Sequence, residues 1–116
     1  MTVKRVVTNI ASPDTGAAAR FYGEVLGMSI VMDHGWIVTY ADTGSAMPQL
    51  SIASEGGSGT EVPDLSIEVD NLDEVLERAR DRGFQVLYGP ADEPWGVRRF
   101  FVRDPFGRVV NILQHQ

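Results

Sequence analysis

The chain contains no cysteine among its 116 residues. This absence excludes disulfides, thiolate metal sites and cysteine nucleophiles together. The sequence also lacks any apolar run near the roughly 20 residues that a membrane-spanning helix needs. Its first residues, Met1–Arg5, lack the apolar segment of a signal peptide. We therefore expect a cytoplasmic protein with no membrane partner.

Positive charge is scarce, and the formal net charge is −6 at pH 7. Such a balance disfavours binding to a phosphate backbone, so we expect no nucleic-acid partner. A neutral or cationic small molecule fits it better, although acidity alone mostly reflects solubility. The length, with 43% hydrophobic and 22% charged residues, is typical of one globular domain over residues 1–116.

The same order of elements occurs twice along the chain. Segments rich in β-branched residues, Val3–Ile10 and Leu65–Val69, predict a strand at the start of each half. A helix pattern follows each strand and ends at a glycine, Gly27 in the first half and Gly83 in the second. This repetition at corresponding positions indicates an internal duplication.

The two helices are predicted from the spacing of their apolar residues. In the second half the buried stripe comprises Leu72, Val75, Leu76 and Ala79, and Asn71 with Glu74 forms a capping pair. In the first half a helix begins at Asp14 or Thr15, and its apolar positions are Ala18, Phe21, Tyr22 and Val25.

The remaining length of each half suits three more strands. The predicted strands are Ile30–Met32, Trp36–Ala41, Gln49–Ala53, Gln85–Tyr88, Arg98–Arg103 and Val109–Leu113. Each half is therefore a βαβββ module in an α+β fold. The modules cover residues 1–55 and 64–116, and a glycine-rich linker at residues 56–63 joins them.

Three segments now resemble a known family. They are Phe-Tyr-Gly-Glu-Val-Leu-Gly at residues 21–27, Pro-Trp-Gly-Val-Arg-Arg-Phe at residues 94–100 and Arg-Asp-Pro-Phe-Gly-Arg at residues 103–108. In this order, and with the duplication, the chain resembles the vicinal oxygen chelate superfamily of glyoxalases, bleomycin-resistance proteins and extradiol dioxygenases. The resemblance covers essentially the whole chain. It implies an open, curved barrel around a ligand cavity, helices on the outer face, and a homodimer.

Metal-using members of that family hold a divalent metal with four side chains, usually His and Glu. By the family's register these positions fall on Arg5, Gln49, Asp64 and Asn111. Arginine cannot be a ligand at ordinary pH, and neutral amides replace carboxylates poorly, so only Asp64 is competent. The resemblance is therefore closest to the metal-free, bleomycin-resistance-like members, and we expect no metal and no cofactor.

Strand alternation places the candidate residues on one face of each strand. It puts Asp64 and Glu68 on the cavity side and Leu65 on the helix side, and it puts Asn111 on the cavity side as well. We hypothesise that Arg5 and Asp64 form an ion pair there, with Gln49 and Asn111 as hydrogen-bond partners. In the alternative, Arg5 lies at a strand end and reaches water.

Aromatic and charged residues supply the other candidates. Trp36 and Tyr40 share a strand face that is a ligand wall, a dimer contact or core, and Trp95 lies at the cavity mouth or at a dimer interface. Alternation sends one of Phe100 and Phe101, and one of Arg98 and Arg99, toward the cavity. The ligand-binding candidates are therefore Arg5, Trp36, Tyr40, Gln49, Asp64, Glu68, Trp95, Arg99, Phe101 and Asn111.

The two histidines give weaker signals. Asp33-His34-Gly35 is explained by a turn, although a His–Asp pair also suits a general base. His115 continues the cavity face of Asn111 but lies near the chain end. No catalytic residue is identified from the sequence.

Two kinds of function follow from the resemblance. The first is metal-independent sequestration of a small cationic or aromatic molecule, as in antibiotic resistance, with Asp64 and Glu68 balancing the ligand's charge. The alternative is a lyase, isomerase or dioxygenase with a displaced metal site or acid–base chemistry at Asp64, Glu68 or His34. A third reading is a divergent member that binds only a metabolite or a protein.

Overall fold

The structure, a computed structural model, describes residues 2–43 and 48–116. The strands are β1 Val3–Ala11, β2 Ser29–Asp33, β3 Ile37–Ala41, β4 Gln49–Ala53, β5 Leu65–Val69, β6 Val86–Asp92, β7 Val97–Arg103 and β8 Val109–His115. The helical segments are Thr15–Ala18, Ala19–Val25 and α1 Leu72–Asp81. None of the helices in the described ranges is long and apolar enough to cross a membrane. The predicted α+β class and the order of its elements are confirmed.

The chain divides into two compact units. The N-terminal unit is Val7–Val62, and the C-terminal unit is Pro63–Gln116 with the first residues of the chain up to Val6. Strand β1 thus contributes its beginning to one unit and its end to the other.

The N-terminal unit contains the strand order β2-β3-β4-β1. Neighbouring strands are antiparallel except β1 and β4, which run parallel. Its core consists of Val38, Tyr40 and Ile52, packed by Ala18, Tyr22, Met28 and Leu50. One face of β3 and β4 is therefore covered by the first helical segment.

The first helix differs from its prediction. Thr15–Ala18 is a 3₁₀ turn and Ala19–Val25 is π-helical, with a bond from the Leu26 N–H to the Phe21 carbonyl at 3.0 Å. Wider winding interrupts the buried stripe expected of an α-helix. Ala18 and Tyr22 pack on the core, but Phe21 and Val25 remain 54% and 68% exposed.

The C-terminal unit contains the strand order β5-β8-β7-β6, with α1 packed on one face. Strands β5 and β8 are parallel and the other neighbours antiparallel. The core between α1 and the sheet comprises Val69, Leu72, Leu76, Phe100, Val110 and Ile112. The predicted start of α1 is confirmed, because Asn71 Oδ1 accepts a hydrogen bond from the Glu74 N–H at 3.2 Å.

Alternation along β5, β7 and β8 separates two kinds of side chain. Leu65, Ile67 and Val69 pack in the core beneath α1, as do Phe100 and Ile112. The intervening residues lie on the opposite side of the sheet, as predicted. We call them the polar face: Ser66, Glu68, Arg99, Phe101, Asn111, Leu113 and His115.

Candidate ligand-binding face

The polar face has two rows of neighbouring residues across its strands. In the first row, Asn111 on β8 lies between Ser66 on β5 and Phe101 on β7. In the second row, Leu113 lies between Glu68 and Arg99. His115 follows at the end of β8, opposite Val97. Parallel pairing of β5 with β8 thus brings residues 45 positions apart in the chain side by side.

Asn111 is a buried amide at the centre of the first row. Only 7% of the residue is exposed, and its Nδ2 donates a hydrogen bond to Ser66 Oγ at 3.1 Å. Its carbonyl oxygen, Oδ1, is buried and has no hydrogen-bond partner among the described residues. A buried acceptor left without a donor costs about 1–3 kcal/mol, so this oxygen is a point of potential ligand contact.

Glu68 is the centre of a second polar group. Its carboxylate lies 3.2 Å from Arg5 Nε, 3.7 Å from Lys4 Nζ and 3.0 Å from His115 Nδ1. The Glu68 side chain is only 12% exposed, whereas those of Lys4 and His115 are about half exposed. We call Lys4, Arg5, Glu68 and His115 the charged cluster.

Burial and the surrounding groups act in opposite directions on Glu68. Burial alone raises the pKa of its carboxyl, but the His115 hydrogen bond and the charges of His115, Arg5 and Lys4 outweigh it. The pKa of Glu68 therefore lies below its ordinary value of 4.5. The ionised carboxylate fixes one imidazole nitrogen of His115 in place.

Arg99 lies inside a box of aromatic rings. Its guanidinium carbon is 4.8 Å from the ring centre of Phe101, 4.9 Å from that of Trp95 and 5.3 Å from that of Tyr88. Its Nη2 and Nε lie 2.6 and 2.8 Å from a carboxylate oxygen of Glu93. Arg99 and Glu93 are 3% and 8% exposed, so this is a buried ion pair covered by cation–π contacts.

The aromatic box corrects the ligand wall that the sequence suggested. Trp95 and Phe101 do lie together, but the cation stacked on them is Arg99 of the same chain. Tyr88, whose hydroxyl donates to Glu93 at 3.1 Å, and Glu93 itself were not among the predicted residues. The antiparallel pairing of β6 with β7 brings Tyr88 next to Phe101. The register of this pairing shifts within β6, so the sequence alone did not predict which residues are neighbours.

Arg5 and Asp64 do not form the predicted pair. Arg5 contacts Glu68 instead. The Asp64 carboxylate accepts a hydrogen bond from the Val109 N–H at 2.9 Å and lies 3.8 Å from Arg108. The reason is that Asp64 precedes β5 and bonds to the backbone at the start of β8, whereas Glu68 lies within the strand and faces Arg5.

Three further candidates lie in the N-terminal unit. Tyr40 is 1% exposed and packs in the core 5.9 Å from Tyr22, so it is not a ligand wall. Trp36 is half-buried and stacks on His34 at 6.3 Å. Gln49, opposite Ala41, shares its side of β4 with the buried Ser51.

The turn reading of His34 is confirmed. The Gly35 N–H bonds to Asp33 Oδ1 at 2.8 Å, and Gly35 adopts a φ of +81° that favours glycine. His34 itself donates its backbone N–H to the Ile37 carbonyl. The Asp-His-Gly segment is thus explained by the hairpin between β2 and β3.

The family's metal positions in the C-terminal unit do not fit a divalent cation. Arg5 is positively charged, Asp64 is committed to Val109 and Arg108, and Asn111 is a neutral amide bonded to Ser66. In the part of the chain that the structure describes, no three His, Asp or Glu side chains are grouped closely enough to hold a metal. A guanidinium and a neutral amide are poor ligands for a divalent cation.

Several solved structures share this fold. A protein from Legionella pneumophila described as an NAD-dependent benzaldehyde dehydrogenase matches with a TM-score of 0.75 at 15% identity, covering 97% of this chain and 100% of that one. Methylmalonyl-CoA epimerase from Streptomyces coelicolor matches with a TM-score of 0.72 at 17% identity, covering 98% and 96%. A glyoxalase/bleomycin resistance protein/dioxygenase superfamily member from Vibrio splendidus matches with a TM-score of 0.65 at 17% identity, covering 99% and 100%.

These identities are low enough that the likeness concerns the fold alone, and the differing names show that this fold carries different activities. No functionally curated protein matches the chain. The sequence model of one family, however, matches residues 4–112, nearly the whole length. The chain therefore belongs to the Glyoxalase/Bleomycin resistance protein/Dioxygenase superfamily.

Proposed function

We propose that this chain binds and sequesters a small organic molecule on the polar face of its C-terminal unit, through side chains rather than through a divalent metal. The observation that carries the proposal is the buried Asn111 Oδ1, which has no hydrogen-bond partner among the described residues. A ligand N–H or O–H group bound to it would remove the cost of the buried, unpaired acceptor. Because Oδ1 has almost no contact with water, we expect neighbouring side chains to move as the ligand enters.

The contacts on this face bear on the charge of the proposed ligand. The sequence favoured a cationic molecule stacked on aromatic rings, but Arg99 already fills the box of Tyr88, Trp95 and Phe101. The acid that was expected to balance such a ligand, Glu68, is already surrounded by basic groups. These contacts among the described residues favour a neutral ligand over a cationic one on this face.

The test is a thermal-melt screen of organic acids, amines, alcohols and aromatic antibiotics, followed by the same measurement on two variants. A ligand at a hundredfold excess over its Kd stabilises by about 2.7 kcal/mol, which a melt detects. Asn111→Leu should abolish the shift while leaving the free protein as stable or up to about 1–3 kcal/mol more stable, since it removes an unpaired polar atom.

Ser66→Ala is the matched control, because it removes the hydrogen-bond partner of Asn111 Nδ2 but leaves the Asn111 side chain, with its Oδ1, in the protein. It should retain most of the shift. A screen without any hit, or a hit that Asn111→Leu leaves unchanged, would refute binding at this face.

A second candidate function is proton transfer, and the His115–Glu68 contact of 3.0 Å favours it. A buried carboxylate that holds one imidazole nitrogen leaves the other directed to a substrate, the arrangement of a general base. Under this alternative the protein isomerises or cleaves a carbonyl compound. Turnover of α-ketoaldehyde–thiol adducts that disappears in His115→Gln would support it over sequestration.

We further propose a homodimer, built on the N-terminal unit. Large apolar side chains on its helix and on β2 are more than half exposed: Phe21, Val25, Leu26, Ile30 and Val31. Strand β2 is also the last strand in the order of this unit, and such edges tend to pair with another chain. Sedimentation equilibrium should give a dimer that Val31→Lys converts to a monomer, whereas a monomeric native protein would contradict it.

A further inference from the structure

A groove lies beside α1, on the side of the sheet opposite the polar face. Its lining comprises Val75, Arg78, Ala79 and Arg82 of α1 and its C-terminal end, and Phe84 just beyond the helix. The first four are spaced by three and four residues, so they share one side of the helix. We call these five residues the α1 groove. It is open to solvent and has a volume of about 520 Å³, a size common among small-molecule sites.

The end of α1 builds the apolar wall of the groove. Gly83 adopts a φ of +78°, and the N–H groups of Gly83 and Phe84 donate to the carbonyls of Arg80 and Ala79, both at 3.0 Å. This capping geometry folds Phe84 back toward Ala79. Phe84 nevertheless remains 39% exposed, so apolar surface is left uncovered at the groove. The same bonds occupy carbonyl oxygens that would otherwise repel an anion at this end of the helix.

Two guanidinium groups lie beside this apolar wall. Arg78 pairs with Glu74 at 2.7 Å, one turn earlier on α1. Arg82 is exposed, and among the described residues no carboxylate forms an ion pair with it. The α1 groove therefore carries a positive charge at Arg82 that the neighbouring side chains do not neutralise.

The combination of features selects a class of ligand. A guanidinium donates two parallel hydrogen bonds to a carboxylate, which a neutral or cationic group does not receive in the same way. An apolar body placed on Val75, Ala79 and Phe84 would remove their exposed surface from water. A molecule that has both an anionic end and an apolar body can use the arginines and the wall together.

We propose that the α1 groove is a second binding site, which takes a small organic carboxylate with an aromatic or aliphatic body. The carboxylate contacts Arg82, and the body lies against Phe84. Glu74 acts as a positioning residue that holds Arg78 at the side of the groove. This site is separate from the polar face and does not depend on the function proposed for it.

The experiment uses three probes that separate charge from apolar surface: phenylacetate has both, acetate has the charge alone, and phenethyl alcohol has the apolar body alone. Each is titrated into the ¹⁵N-labelled full chain while amide shifts are followed by NMR. Phenylacetate should shift the amides of Arg82, Gly83 and Phe84 saturably, and the other two probes should bind more weakly. Equal binding of phenylacetate and either of the others, or no saturable shift with phenylacetate, would overturn the proposal.

Variants separate a contact in the groove from a general effect of charge. Arg82→Gln should weaken phenylacetate binding about threefold, the size expected for one exposed ion pair. Arg80→Gln removes the same charge from an exposed residue of α1 that does not line the groove, and the affinity should stay at its native value. Phe84→Ala should also weaken binding, because it removes the apolar wall. Native affinity in Arg82→Gln, or the same loss in Arg80→Gln, would refute the site.

A further variant distinguishes this site from the polar face. Asn111→Leu should leave the phenylacetate shifts at Phe84 unchanged. If those shifts disappear in Asn111→Leu, the probe binds on the polar face and the α1 groove is not a site. Saturable binding at Phe84, without any Asn111-dependent ligand in the melt screen, would support the groove and remove the function proposed for the polar face.

Discussion

Individual residues of the C-terminal unit show where polar groups are tolerated in a sheet interior. Arg99 and Glu93 are nearly inaccessible, yet they pair with each other at 2.6 and 2.8 Å, and aromatic rings surround the Arg99 guanidinium. Removing one member of such a pair leaves an isolated charge in a poorly solvated place, which is more costly than removing both.

The variant Arg99→Met should therefore destabilise the protein by about 3–5 kcal/mol in urea unfolding, because the buried Glu93 carboxylate loses its charged partner. Adding Glu93→Gln to it should recover a large part of the loss. Arg98→Met serves as control, since Arg98 is a third exposed and its carboxylate partners lie at 3.4 Å; it should cost at most about 1 kcal/mol. Equal losses for Arg98→Met and Arg99→Met would contradict the assignment.

For single residues, the sequence predicted which face of a strand a side chain lies on, but not which residue it pairs with. Alternation placed Asn111 and Glu68 on one side of their strands correctly and sent one of Phe100 and Phe101 to that side, because the two-residue period follows from backbone geometry. It assigned Arg5 to Asp64 and missed Glu93, because pairing depends on which strands are neighbours and on irregular loops. Nothing in the local sequence encodes those distances.

At the scale of elements, the charged cluster connects three strands. Glu68 on β5 reaches Lys4 and Arg5 on β1 and His115 on β8. These contacts stabilise the ionised carboxylate, and they therefore lower the pKa of Glu68.

Stability should fall in acid partly through this group. Because the pKa of Glu68 is lower in the folded than in the unfolded chain, its contribution is complete above the unfolded value and is lost as pH falls through the folded one. Glu68→Gln should flatten the decline of unfolding free energy between about pH 5 and pH 3. The control variant Glu24→Gln, on the exposed side of the first helix, should leave the decline of unfolding free energy unchanged. Identical pH profiles for the two variants would contradict the role of the charged cluster.

The two helices also show how far the spacing of apolar residues predicts helical structure. Spacing alone predicted α1 and its cap correctly, since its stripe of Leu72 and Leu76 is regular and its ends carry standard signals. The same reasoning gave an ordinary α-helix for the first helix, where the chain winds as 3₁₀ and π turns. The spacing of apolar residues shows that a segment is helical but does not distinguish these kinds of helical turn.

At the scale of the whole molecule, membership of the superfamily does not determine the function. Membership of the superfamily follows from a match over residues 4–112, and solved structures with this fold bear different names. The fold therefore does not choose the chemistry. The proposed function rests instead on particular side chains, here Asn111, Glu68 and the basic groups around it.

The central claim, that these side chains bind a small molecule without a divalent metal, is tested most directly by calorimetric titration. The compound giving the largest melt shift would be titrated into protein treated with a chelator, and into the same protein supplied with Ni²⁺, Mn²⁺, Fe²⁺ or Zn²⁺. The account predicts one site per chain with the same Kd in every case and no stoichiometric metal in the purified protein. Binding that vanishes on chelation and returns with one of the metals would contradict it.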